Sequence, residues 1–218
     1  MCNLYSHESN HQAISKFVEQ LDLDLTMGSN LGNYAPGFVG ADQDAPVLRP
    51  TGHGLELSMV RWGFPPAKAG SKKPITNIRN LESRWWRDVN RQWLFEPVYR
   101  CLIPFDRFAD PVPGQGRKLA WFKPATTAYF AGVWRPWTGE RLIPVEGKSR
   151  RQRVETQLDL FAFLTCEPNA IVEPIHPKAM PVILTKPDEA KDWLSGVDPK
   201  SLQRPLAEDK LELVADTA

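Results

Sequence analysis

Apolar residues recur at Ile14, Phe17, Val18 and Leu21, a spacing of i, i+3, i+4 and i+7 that puts all four on one side of a helix. The spacing predicts an amphipathic helix over His11–Leu21, with Ser9 or Asn10 as its N-cap. The period then changes. Gly, Pro, Asn and Asp interrupt the apolar positions from Met27 to Pro50, which predicts a long loop ending in a short strand at Ala45–Arg49. Leu55–Phe64 alternates as a strand does, with Gly63, Pro65 and Pro66 to end it. Lys68–Pro74 reads as a basic loop and Trp85–Asn90 as a short helix. Further strands are predicted at Val98–Ile103, stopped by Pro104, and at Lys118–Phe122, Thr127–Trp134, Leu158–Thr165 and Met180–Thr185, with a turn cluster at Pro111–Gly116. A late helix over Asp188–Leu194 follows Pro187, which suits a first helical turn. Many strands with few helices between them predict an α+β fold, with a mostly antiparallel, barrel-like β core and a few peripheral helices.

Composition narrows this picture. With 218 residues, 42% of them hydrophobic, the chain can bury one substantial core, and without repeats or a low-complexity linker a single domain over residues 1–218 is expected. Cys2, Cys101 and Cys166 are odd in number and have no CxxC spacing, so neither a disulfide framework nor a zinc site is signalled, and no metal or cofactor is expected. Residues 1–20 lack an uninterrupted apolar run, and nowhere do 18 apolar residues follow one another. The expectation is a reduced, soluble, cytoplasmic monomer without a membrane partner. Net charge is only +1, but it is unevenly spread: residues 1–60 hold 2 Lys/Arg against 7 Asp/Glu, residues 61–123 hold 13 against 5, and residues 124–218 hold 12 against 14. A basic middle third suits a polyanion, although a solvated basic face would have the same composition. Trp62, Trp85, Trp86, Trp93 and Trp121 fall in that third, and aromatics beside Arg and Lys suit single-stranded bases, which can stack, although most of these tryptophans are expected in the core.

The chemistry begins at Met1-Cys2. Loss of the initiator methionine leaves a cysteine with a free α-amine, and these two groups titrate near ~7.7–8.0 and ~8.5. Such a 1,2-aminothiol captures aldehydes: the amine condenses to an imine, the thiol adds to the same carbon, and a thiazolidine results. Position alone does not separate this reading from an accident of the start codon.

Seven blocks decide the matter. MCNLYS at the start, VRWGF (Val60–Phe64), TNIRN (Thr76–Asn80), RCLIP (Arg100–Pro104), AGVWRPW (Ala131–Trp137), the run Phe163–Leu184 and a trailing WL at Trp193–Leu194 occur in the order of the SRAP family, the SOS-response-associated peptidase-like, abasic-site-processing proteins, which the chain resembles from Cys2 to Leu194. Residues 195–218 are left as a tail. The resemblance implies the SRAP fold and a thiazolidine between Cys2 and the ring-opened abasic site of single-stranded DNA, which shields the site during the DNA damage response. It implies Asn77 as a polar positioning group, Arg79 as a phosphate contact, His176 as the residue assisting chemistry at the opened sugar, and Trp62, with its neighbour Arg61, at the DNA-facing surface. When acting on DNA the protein would be nucleoid-associated. General chemistry asks for a similar set, because ring opening and imine formation near neutral pH need a proton donor and acceptor, a task suited to histidine.

The chain departs from the family in three places. Asn3 and Leu4 follow Cys2 where Gly-Arg is usual. The family glutamate aligns with Asp110, one methylene shorter and followed by Pro111, with Asp106 and Glu82 as rival carboxylates. Lys178, after His176-Pro177, offers a displaced positive charge for DNA. Two other function classes remain open on sequence: a cysteine peptidase, autoproteolytic at least, pairing Cys2 with His176, and a non-catalytic single-stranded nucleic-acid module.

Overall fold

The computed structural model describes residues 4–7, 11–32, 35–67, 71, 73–143 and 145–215. In chain order the elements are β1 (Leu4–His7), α1 (His11–Gln20), β2 (Asp24–Met27), β3 (Gly37–Gly40), β4 (Asp44–Pro50), β5 (Gly54–Trp62) and β6 (Asn77–Ile78). A π-helical turn (Trp85–Val89) leads into α2 (Arg91–Phe95), then come β7 (Arg100–Phe105), β8 (Arg107–Pro111), β9 (Leu119–Pro124), β10 (Ala128–Ile143) and β11 (Gln152–Cys166). The chain ends with β12 (Met180–Pro181), β13 (Ile183–Leu184), α3 (Pro187–Ser195), α4 (Pro199–Leu202) and β14 (Leu211–Val214).

The strands close on themselves. β11 pairs antiparallel with β10, β10 with β7, β7 with β4 and β4 with β5, and a parallel pairing of Leu160 with Arg61 and Phe161 with Trp62 joins β5 back to β11. This is a five-stranded mixed barrel, and closure removes the edges that an open sheet would expose. A second, antiparallel sheet in the order β14-β9-β8-β1-β3 packs beside it. Tyr5, fully buried on β1, sets its ring edge-on to Trp62, Phe130 and Phe163 of the barrel at 5.2, 5.6 and 6.5 Å, an arrangement aromatic quadrupoles favour. The first strand of the chain is thereby locked into the barrel core. The helices are peripheral, as the pattern predicts: α1 buries Ile14, Phe17 and Val18, and Phe17 stacks on Tyr129 at 4.1 Å. Its expected caps, Ser9 and Asn10, lie outside the described residues, as does much of the Lys68–Pro74 loop.

Several boundaries differ from expectation. The Met27–Pro50 stretch contains β3, whose Tyr5↔Val39 pairing holds it to β1; four residues with two glycines carry too little apolar signal to be seen. β7 runs through Pro104 to Phe105. On its β4 side the ladder is a single pairing, Leu48↔Leu102, so a residue without an N–H breaks nothing there. β10 and β11 extend well past Trp134 and before Leu158 as a two-stranded ribbon, paired out to Ile143↔Gln152. Its outer half has one exposed face, which hides its strand character in a mixed polar sequence. Trp62 is corrected outright: expected at a nucleic-acid surface, it is fully buried, stacked against Phe163 at 5.2 Å, with its indole N–H donating to Thr76 O at 3.0 Å. Among the described residues no helix is long and apolar enough to cross a membrane.

Candidate active site

Among the described residues Asp110 is the one buried carboxylate. It sits near the end of β8, paired with Ala120 of β9, and is fully buried. Burial pushes its carboxyl above the ordinary 3.8, while the positive charge of His176 pulls it back. The neighbouring strand brings Leu4 close to it. β1 pairs with β8 so that Leu4 faces Ala109, which leaves Cys2 two residues before a strand whose first pairing is adjacent to Asp110. Cys2 itself lies outside the described residues. The rival carboxylates are less suitable: Glu82 is exposed and Asp106 half-exposed.

His176 stands on a turn built by Asn169. The Asn169 side chain accepts from Val172 N at 3.1 Å, and His176 N donates to Val172 O at 2.8 Å. The ring Nδ1 lies 2.7 Å from Ala179 O and 3.1 Å from Ala179 N. Ala179 N–H donates to Nδ1 while Ala179 O approaches the same atom, and these two backbone groups orient the ring. β12 follows and pairs Pro181 with Thr165 and Met180 with Cys166, which fixes the ring's backbone on one edge of β11.

Asn77 and Arg79 occupy the other edge. Asn77 lies in β6, parallel to β11 and opposite Phe163, and its amide donates to Thr76 Oγ1 at 2.7 Å. A cleft of about 330 Å³ opens beside it, walled by Pro66, Pro74, Ile75 and Thr76, with Lys73 and Ser71 also lining it. Arg79 is partly exposed and forms an ion pair with Glu167. Lys178 is exposed.

The last residues of β11 thus hold the Asn77–Arg79 segment on one side and the strand after His176 on the other, while Asp110 feels the charge of His176 from the second sheet. Arg61, grouped with the DNA contacts on sequence, does not join them. Its guanidinium is nearly buried and donates to both carboxylate oxygens of Asp44 at 2.9 and 2.8 Å, with Asp42 at 3.9 Å. That bidentate pairing leaves it no free fork for a phosphate. Conversely, Glu167 and Tyr5 carry no local signal of their positions: one meets Arg79 from 88 residues away, the other is an ordinary apolar strand position until the barrel surrounds it.

Residues 1–215 match the family model described as SOS response associated peptidase (SRAP). No curated protein matches the chain. Its fold recurs in solved structures. A protein from Bacteroides thetaiotaomicron is 16% identical, with a TM-score of 0.67 over 99% of this chain and 93% of its own. A phage-related protein from Bordetella bronchiseptica is 15% identical, with a TM-score of 0.61 over 97% and 92%.

Proposed function

The chain belongs to the SOS response associated peptidase family, and from that premise we propose that it captures abasic sites in single-stranded DNA as a covalent thiazolidine on Cys2. The observation that carries this reading is the fully buried Asp110, one ladder position from the strand that follows Cys2 and within the electrostatic reach of His176. A carboxyl whose pKa burial raises, within reach of an imidazole, pairs a proton donor with a proton acceptor, which is what opening a cyclic hemiacetal requires, and such groups contribute typically ~10²–10⁴-fold each.

The steps divide among the residues. Asp110 protonates the ring oxygen of the abasic sugar as the anomeric hydroxyl loses its proton to the His176 imidazole, which frees the aldehyde. The Cys2 amine adds to it and water leaves, giving the imine. The Cys2 thiolate then adds to the same carbon while the imine nitrogen takes up the thiol's proton, closing the five-membered ring. Asn77 positions the sugar, and Arg79, exchanging Glu167 for a phosphate, holds the strand with help from Lys178.

The test is incubation with a single-stranded oligonucleotide bearing one abasic site, read as a heat-stable shift on a denaturing gel. The native protein should shift, while Cys2→Ser and protein that keeps Met1 should not, since an imine without its thiol hydrolyses. An equal yield from Cys2→Ser would refute the reading. The family's description as a peptidase supports a second reading, in which Cys2 and His176 remove Met1. Intact-mass measurement of His176→Gln made in cells lacking methionine aminopeptidase activity separates it: retained Met1 in that variant alone favours self-cleavage.

A further inference from the structure

The sequence reading leaves residues 195–218 as a tail, yet their described part is tied to the site at three points. Gln203 follows α4, and its Nε2 lies 2.6 Å from Arg79 O and 2.8 Å from Thr165 O. Both partners are main-chain carbonyls, so only the NH₂ side of the amide can face them, and both of its hydrogens are used. Three residues on, Leu206 O accepts from the Asn169 amide at 2.9 Å, and Asn169 shapes the turn leading to His176. β14 then pairs with β9, the neighbour of β8, which carries Asp110.

Resting on the single-stranded DNA reading above, we propose that Gln203 is a positioning residue that pins the backbone of Arg79 to the end of β11 and so presents its guanidinium to a phosphate. β6 is only two residues long and stops at Ile78, so its ladder does not reach Arg79. Thr165 Oγ1 ties down Ile78 O at 3.3 Å, and Gln203 extends that hold by one residue. Among the described residues the guanidinium itself is tethered by Glu167 alone, whose side chain is 74% exposed; a surface pair of that kind is weak and exchanges readily for a phosphate, provided the main chain stays in place. Without the clamp, ordering the Arg79 segment becomes a cost of binding.

The experiment is single-turnover crosslinking of the full chain across oligonucleotide concentration and salt, with melting temperatures alongside. Gln203→Glu keeps the shape and replaces the NH₂ group, which supplies both donors, with an acceptor oxygen. It should raise the half-saturating oligonucleotide concentration about 3–10-fold, the range one or two hydrogen bonds supply, and reduce the salt slope towards that of Arg79→Ala. The saturating rate should stay within about 2-fold, because the groups that move protons are untouched. Adding Gln203→Glu to Arg79→Ala should cause little further loss, the signature of two residues acting through one contact. Unchanged half-saturation, or losses that simply add, would overturn the role. If both Gln203→Glu and Gln203→Ala unfold at the assay temperature, Gln203 is structural and the role also falls. A native protein that forms no adduct overturns the DNA reading itself, and this role with it.

Discussion

Asp110 illustrates at the scale of one residue how a site is set against the fold that holds it. Its carboxyl, raised by burial, retains a proton that the unfolded chain gives up above the ordinary 3.8. The native state therefore binds more protons in the window from that value up to the raised one, and stability falls as pH rises through it. Asp110→Asn has no proton to lose. Its melting temperature should gain on the native protein's as pH goes from 3 to 7, while its crosslinking rate falls; a stability gap that is constant with pH would contradict the burial argument. Trp62 gives the opposite case. Its ring fills the space between Tyr5, Phe161 and Phe163, so Trp62→Ala should cost about 3–5 kcal/mol in denaturant unfolding, with DNA affinity lost only as the fold is lost.

Among the elements, the junction of α2, β7 and α3 depends on one buried cation. Arg100, fully buried on β7, donates to Leu94 O at 3.0 Å, Trp193 O at 3.2 Å and Val197 O at 3.0 Å, and its guanidinium lies 3.9 Å over the Trp193 ring. Burial draws its pKa down to about 10, with Asp198 opposing, so the charge persists at neutral pH. Leu94 O and Trp193 O belong to the last turns of α2 and α3, where a cation also suits the helix dipole, and Val197 O lies just past α3. A lysine cannot span three carbonyls and stack on an indole at once. Arg100→Lys should therefore destabilise by about 2–4 kcal/mol in equilibrium unfolding, and a loss under about 0.5 kcal/mol would mean that the carbonyls find other donors. The RCLIP motif that marks this position in the sequence is thus a structural signature here, with its neighbour Cys101 buried and its thiol pushed up.

Over the whole molecule, the basic middle third remains the best guide to where a strand of DNA would lie, once its members are sorted by surroundings. Arg84, Arg87 and Arg91 are exposed, while Arg61 and Arg100 are spent on internal partners. Affinity for undamaged single strands should fall with salt at a slope near ~0.7 per phosphate contact. Arg79→Ala should flatten that slope by about one contact, whereas Arg61→Ala should leave it unchanged and lower the melting temperature instead. Fluorescence anisotropy over a salt series distinguishes the two, and equal slopes for both variants would contradict the sorting.

The α1 stripe, the β5 alternation, Pro187 opening α3 and the ordered blocks from Cys2 to Trp193–Leu194 were all legible from the chain alone, because helical period, strand period and motif spacing are local properties. Fold class and family followed from them. Burial was not legible, and it redirected two of the residues first grouped with DNA: Trp62 reads as a surface aromatic until β5 closes against β11, and Arg61 as a free cation until Asp44 faces it across the β4–β5 ladder. The same limit hid Gln203, whose partners lie 124 and 38 residues away. Period and composition are written along the chain, but the dielectric around a charge and the partner of a donor depend on what folding brings beside them.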